Sequence, residues 1–283
     1  MIKSISYWSF KDGLANTHGI EAAMIEGNAA GFAGIELAVG LDGVLSVESD
    51  QAACVACRKA AEKHGLALES CAAGFAWVCS PTHADAAVRQ KSIALHSAAL
   101  QRAAWLGCQS MLYVPGAVRI PWDNNYPPVR YDHAIAWARQ AAQRLIDVAD
   151  KVKVQLCLEN VWNGMFYSPL EFRDFVKALN SPYAGIYFDV GNVMGLHQHS
   201  PHWIELLGSL IKRVHFKDFK LSIGNMSGFC ELGDGDLPWP QTIQALRAIG
   251  YDRTVVAEMM PWSPGLLERT SRAMDRILVM RNS

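Results

Sequence analysis

The chain reads as an α/β protein folded into a single (β/α)8 TIM barrel spanning 1–283, and three observations carry that expectation. Short apolar runs and longer amphipathic stretches alternate eight times. They recur roughly every 30 residues, the length that a strand, a loop and a crossover helix consume. No linker or low-complexity tract divides the 283 residues, and eight such units over roughly 250 residues close a barrel. The competing open, doubly wound sheet calls for a glycine-rich phosphate loop after the first strand. That position reads Trp8-Ser9-Phe10-Lys11-Asp12-Gly13, which is no such loop.

Ile2–Tyr7 reads as the first strand and Gly19–Ala30 as the first helix. Gly34–Val39 is the second strand, and the helix Gln51–His64 stops at Gly65, where a C-cap glycine belongs. Leu66–Ser70 is the third strand. Asp85–Leu106 has apolar residues at helical spacing and ends at Gly107. The fourth strand, Gln109–Val114, leads to a helix over Tyr131–Lys151. The fifth, Val154–Leu158, leads to a helix over Pro169–Leu179 that Ser168 caps. Ile186–Phe188 and Ile211–Phe216 are the sixth and seventh strands, with a weak helix near Pro201 between them. Asp236 caps a helix that carries Pro238 in its first turn and runs to Ile249. Thr254–Met259 is the eighth strand and Leu266–Met280 the last helix.

With 51% hydrophobic residues the chain can bury a large core. A formal charge of −1 and a pI near 6.7 create no field for nucleic acid or an anionic membrane, so neither is an expected partner. No apolar run reaches the roughly 20 residues of a membrane span. The start, MIKSISYWSFKDG, lacks the basic-then-apolar pattern of a signal peptide. Seven cysteines, an odd number in a chain too large to need staples, point to reduced thiols and a cytoplasmic location.

Four consecutive strands carry a metal-capable side chain at or near their ends. These are Glu159 in VQLCLEN, Asp189 in FDVGN, His215 in VHFKD and Glu258 in TVVAEM. The carboxyl ends of barrel strands share one face, so the four can meet. Charged groups beside runs such as VQLCL and TVVA are costly unless paired or bound to a cation. Three carboxylates and one imidazole suit one divalent ion, Mn²⁺ first, with Mg²⁺, Co²⁺ or Zn²⁺ as alternatives. Any one of these residues alone could equally be a cap or an ion-pair partner. Four at matching points of consecutive strands are not explained that way.

Together with GIEL at Gly34–Leu37, LEN at Leu158–Asn160, VHFKDFK at Val214–Lys220 and LGDGDLPW at Leu232–Trp239, these runs resemble the xylose isomerase-like barrels. Within that family the pattern looks most like L-xylulose/L-ribulose 5-phosphate 3-epimerases and the hexulose-phosphate isomerases. The resemblance implies one divalent metal held by Glu159, Asp189, His215 and Glu258, with Glu159 and Glu258 doubling as the catalytic acid and base. It implies a metal-dependent isomerase or epimerase of a sugar or sugar phosphate, in which a proton α to a ketose carbonyl is removed and returned through an enediolate. An inosose-dehydratase-like lyase with the same quartet is the alternative, and a non-catalytic sugar-binding barrel a further one. A homo-oligomer, dimer or tetramer, is expected. The chain departs from the allulose-type epimerases of free ketoses, which carry a different run after the first glutamate and a histidine three beyond the aspartate. Here these are VWNGMFY and Asn192. Abasic-site endonucleases of the same superfamily need histidines at the ends of the third and fourth strands, where Ser70 and Val114 stand.

Substrate contacts are assigned to Lys217, Asn192, Glu36, Trp122 and Trp162. Lys217 lies two residues beyond His215 on the same side, and either reaches a substrate oxygen or pairs with Asp218 or Glu231. Glu36 is alternatively a partner behind the site. Trp8, Trp77, Trp122, Trp162 and Trp262 follow strands and form an aromatic mouth for sugar C–H faces or a subunit contact. Arg119 and Lys217 are the cations available to a phosphate, which Asp234 and Asp236 would repel. His197, His199 and His202 belong to a solvated loop, Cys54 and Cys57 to a half-buried helix face, and Cys157 to the barrel packing.

Overall fold

Eight parallel strands close on one another in the computed structural model, which describes residues 1–281. The last two positions of the expected 1–283 domain lie outside the described residues. In chain order the barrel strands are β1 (Ile2–Ser6), β2 (Gly34–Ala38), β3 (Ser70–Ala73), β4 (Ser110–Tyr113), β5 (Gln155–Glu159), β6 (Ala184–Asp189) and β7 (Ile211–Phe216). Two short strands, β8 (Asp218–Phe219) and β9 (Phe229–Cys230), form an antiparallel ribbon before the last barrel strand, β10 (Thr254–Ala257). The order around the barrel is β1-β10-β7-β6-β5-β4-β3-β2. Outside it pack α1 (Ile20–Ala29), α2 (Gln51–Lys63), α3 (Ala86–Leu106), α4 (Tyr131–Val152) and α5 (Pro169–Lys177). The short α6 (Val190–Met194) follows, then α7 (Ser200–Leu207), α8 (Trp239–Ala248) and α9 (Leu266–Leu278).

Local chemistry sets several helix boundaries. Asp50 accepts from the Ala53 amide, Asp85 from Ala87 and Ser168 from Leu170, each satisfying an N–H with no intrahelical partner. Gly107 ends α3 at φ 78°, a left-handed conformation open to glycine without Cβ strain. Along β5, Leu156 and Leu158 join the large core beneath the helices, whereas Cys157 packs inside the barrel with Ala72, Leu112 and Tyr187. That alternation points Glu159 inward as well.

Two expected elements moved. The third strand is Ser70–Ala73, downstream of the expected Leu66–Ser70, and upstream only Ala67 bridges to Gly34. The Leu-Ala-Leu run attracted the assignment, while Ser-Cys-Ala-Ala has weak strand preference. Ser70 and Ala72 face a barrel interior that Tyr187 fills, where small side chains fit, whereas Cys71 and Ala73 face the core beneath the helices. Ser70 therefore opens the strand, and the third-strand end is Ala73-Gly74, still without a histidine. The eighth-unit helix begins at Trp239 with Pro238 at its N-cap. Asp236 does not cap it; its carboxylate accepts from the Leu221 amide and ties the preceding loop.

His96 is fully buried on α3 between Phe75 and Tyr113, its ring centroid 4.6 and 4.8 Å from theirs. Nδ1 lies 2.8 Å from the Ser92 carbonyl and donates to it, and Nε2 has no partner. Burial pulls the imidazole down from 6.5 to about 4, against the raising effect of the Ser92 bond. Between these values the unfolded chain binds a proton that the folded chain refuses. Stability therefore rises with pH through this window and is complete above the unfolded value. On the order of 3 kcal/mol is expected to be lost as pH falls from about 7 to 4. Urea midpoints of the wild type and His96→Phe at several pH values check this, and parallel acid limbs would refute it.

Candidate functional site

β5, β6, β7 and the residue after β10 deliver Glu159, Asp189, His215 and Glu258 to the carboxyl end of the barrel, and all four are buried. One ligand atom from each lies within 4.8 Å of every other. The sheet register sets this convergence, because Asp189 pairs directly with His215 across β6 and β7. Nδ1 of His215 lies 3.3 Å from Glu159 Oε1 and 2.9 Å from Glu258 Oε2. Asp189 Oδ1 accepts from the Gly191 and Asn192 amides at 2.8 Å each and caps α6. Asn160 clamps the Asp189 backbone from both sides, donating to its carbonyl and accepting from its amide at 2.8 Å. Sequence reasoning gave Asn160 no role, although the LEN run contains it.

Lys217 stands 3.0 Å from Asp189 Oδ2 and 2.7 Å from Glu258 Oε2, and Asp218 and Glu231 are not its partners. Glu231 pairs instead with Arg269. These ion-pair approaches are short but poorly aligned, so Asp189 Oδ2 and Glu258 Oε2 are buried oxygens without a hydrogen bond of good geometry. Burial pushes Glu159 up to about 7, against the opposing pull of His215 and Lys217. Burial acts the same way on Glu258, but Lys217 and His215 outweigh it and hold that carboxyl at about 2. For His215 burial acts downward, and Glu36 and Glu258 overcome it and raise the imidazole well above its ordinary value.

A divalent cation fits this arrangement. Three carboxylates and one imidazole nitrogen converge, two of the oxygens lack hydrogen bonds, and no thiolate is among them. Glu159, Asp189, His215 and Glu258 would be its ligands.

Glu36 lies in the middle of β2, fully buried behind the quartet and away from the cavity walls. Its Oε1 is 2.9 Å from His215 Nε2, while Oε2 accepts from Ser70 Oγ at 2.7 Å and Tyr187 Oη at 2.5 Å. A carboxylate holding the distal nitrogen of a ligand histidine fixes its tautomer and orientation. Ser70 and Tyr187 were invisible as partners in the sequence because each looks like ordinary strand packing. Glu36→Gln is expected to weaken divalent-ion binding by about 10–100-fold while the fold persists. Calorimetric titration with Mn²⁺ measures this, and an unchanged affinity would remove Glu36 from the metal's support.

A cavity of about 520 Å³ opens above the quartet. Glu159, Glu258, Lys217 and Asn192 border it, whereas Asp189 and His215 do not. Trp8, Trp77, Trp122 and Trp162 line it; Trp262 does not, and lies beneath Lys11 instead. Trp162 spends its indole N–H on the Asn192 carbonyl at 2.8 Å, and Asn192 Nδ2 donates to the Asn160 carbonyl at 3.0 Å. Arg119 is exposed and absent from the cavity walls, which corrects its place as a phosphate contact.

His197, His199 and His202 are exposed, but only His197 and His199 precede the helix; His202 lies in the first turn of α7, which corrects its place in the loop. Cys54 is buried and Cys57 half buried on α2, and all seven cysteines are free. No helix among the described residues is long and apolar enough to cross a membrane.

Two relatives and one solved structure show what the chain is similar to. An uncharacterized protein of Methanocaldococcus jannaschii is 23% identical over 184 residues, 63% of this chain and 60% of that protein. The 3-oxo-isoapionate decarboxylase of Pectobacterium atrosepticum is 29% identical over 135 residues, 44% of this chain and 46% of the enzyme. The match thus spans less than two thirds of either relative's length. Among solved structures, D-psicose 3-epimerase with D-tagatose from Clostridium cellulolyticum H10 superposes with a TM-score of 0.77 at 17% identity, covering 98% of this chain and 99% of that one. That likeness is one of fold. Residues 26–278 match the model of the xylose isomerase-like TIM barrel, and the chain belongs to that family.

Proposed function

We propose that the protein is a divalent-metal-dependent sugar isomerase of the epimerase type, acting on a carbon next to a ketose carbonyl. One observation carries the reading: of the four buried quartet residues, the two that border the cavity are Glu159 and Glu258. Those are the two carboxylates that an acid/base pair requires, and Asp189 and His215 are left as pure anchors. The D-psicose 3-epimerase that shares the fold supports the substrate class.

A divalent ion bound by the quartet, Mn²⁺ by preference, would supply Lewis-acid polarisation of the carbonyl and its neighbouring hydroxyl. The chain's own residues account for the rest. One glutamate takes the α-proton, and the other returns a proton at the same carbon to invert it. Lys217 places positive charge where negative charge develops on the substrate oxygens. The apolar walls exclude water, which strengthens each of these interactions.

Incubating the metal-loaded protein with ketoses in D₂O tests the reading. Deuterium at the α-carbon together with a sugar isomer is the expected outcome, and no exchange into any ketose or keto glycoside would defeat it. A lyase is the second reading, favoured by the relative that is a decarboxylase. Release of an ultraviolet-absorbing enone or of carbon dioxide instead of a sugar isomer would decide for it.

A further inference from the structure

The walls of the cavity fit a simple ketose or a sugar phosphate poorly. A ketose carries a hydroxyl on nearly every carbon, and each one buried without a partner costs free energy. Beyond Glu159, Glu258 and Lys217, few polar side chains remain on the walls to meet those hydroxyls. The Asp218 carboxylate is consumed by the Phe219, Leu237 and Gly233 amides and by the Trp239 indole. The Trp162 N–H and the Asn192 Nδ2 donate to backbone carbonyls, which leaves Asn192 Oδ1 as an acceptor. The rest of the surface is mainly aromatic, thioether and alkyl, including Trp77, Trp122, Met226 and Met260, with one thiol at Cys230. Trp122 is half exposed, with its ring edge-on to Trp77 at a centroid distance of 4.7 Å. Among the lining residues Lys217 is the cation, and it is already paired with Asp189 and Glu258. A phosphate would enter a mouth with two buried carboxylates and no guanidinium to receive it.

We propose that the substrate is a neutral keto sugar bearing an aromatic substituent, an aryl glycoside in class. The sugar ring meets Glu159 and Glu258, and the aromatic group lies against Trp77 and Trp122. This rests on the isomerase reading above and narrows its substrate. A volume of about 520 Å³ lies within the roughly 300–1,000 Å³ of pockets that enclose drug-sized ligands. Flat apolar rings are what exposed indoles recognise, by stacking and by loss of wet area. A second copy of this chain is the rival occupant. A deep cavity with two carboxylates at its base favours a small molecule over a protein surface.

The experiment uses the Mn²⁺-loaded protein and intrinsic tryptophan fluorescence. Phenyl and methyl glycosides of glucose, galactose and xylose, in both anomers, are titrated beside glucose 6-phosphate. At least one phenyl glycoside is expected to bind about tenfold or more tighter than its methyl counterpart, with the sugar phosphate weakest. Trp122→Ala, at a half-exposed position where folding is not at stake, is expected to erase that advantage. Equal binding of phenyl and methyl glycosides, no binding of any, or tightest binding of the phosphate overturns the proposal. So does a dimer in sedimentation that Trp122→Glu dissociates while the phenyl preference is untouched, because the tryptophan would then be an interface residue. The two readings fail separately. Exchange of free ketoses in D₂O without a phenyl preference sinks only the substrate class. A phenyl preference without exchange into any ketose or keto glycoside sinks only the reaction.

Discussion

Glu159→Gln and Glu258→Gln are each expected to lower α-proton exchange by about 10²–10⁴-fold, the contribution of a positioned acid or base. Glutamine keeps the length and shape of each side chain and one oxygen for a cation, but cannot take or give the proton. Both residues also belong to the quartet, so metal content must be measured in the same samples and exchange scored per bound ion. A variant that keeps its metal and loses exchange identifies an acid/base group. A variant that loses metal and exchange together, and recovers both at high Mn²⁺, identifies a ligand only. Near-wild-type exchange in either metal-loaded variant would rule out the two-glutamate scheme.

Asp218→Ala is expected to cost about 3–5 kcal/mol of stability, the range for stranding partners of a buried charge. The fully buried carboxylate takes the Phe219 amide at 2.8 Å and the Leu237 amide at 3.2 Å on Oδ1. On Oδ2 it takes the Gly233 amide at 2.8 Å and the Trp239 indole at 2.9 Å. Alanine leaves four donors without their acceptor, three of them in buried bonds. Gly235 approaches so closely that a Cβ there would lie 2.1 Å from Asp218 Oδ1, so this turn is built around the carboxylate. A fall in melting temperature on the order of 10 °C follows for a chain of this size. Asp218→Asn should fall between, keeping one acceptor oxygen and opposing an N–H with an amide N–H. A loss below about 1 kcal/mol for the alanine variant would show that the loop finds other partners.

Much of this was legible before any coordinates. Strand and helix signals are local, and the two-residue period of a strand dictates which side chains face inward. Glu159, Asp189, His215 and Glu258 could therefore be picked out as strand-end residues that share a face, and their side chains converge there. Failures came where local signal and tertiary demand part. The third strand places Ser70 and Ala72 inward, where Tyr187 leaves room only for small side chains. Asp236, a helix cap by its position, serves a loop amide instead.

By itself the sequence determined the barrel, the quartet and the absence of strong charge, since each is a repeating or compositional property carried by neighbouring residues. The tertiary structure alone decided what surrounds the quartet. Glu36 and His215 are 179 positions apart and meet at 2.9 Å because the barrel closes. Lys217 turns to Asp189 and Glu258 because β6, β7 and β10 lie side by side. The cavity offers Glu159 and Glu258, and hides Asp189 and His215, for a reason no spacing rule contains. Which oxygen faces water depends on how the loops fold over the strand ends, and the contacts that fold them come from distant parts of the chain.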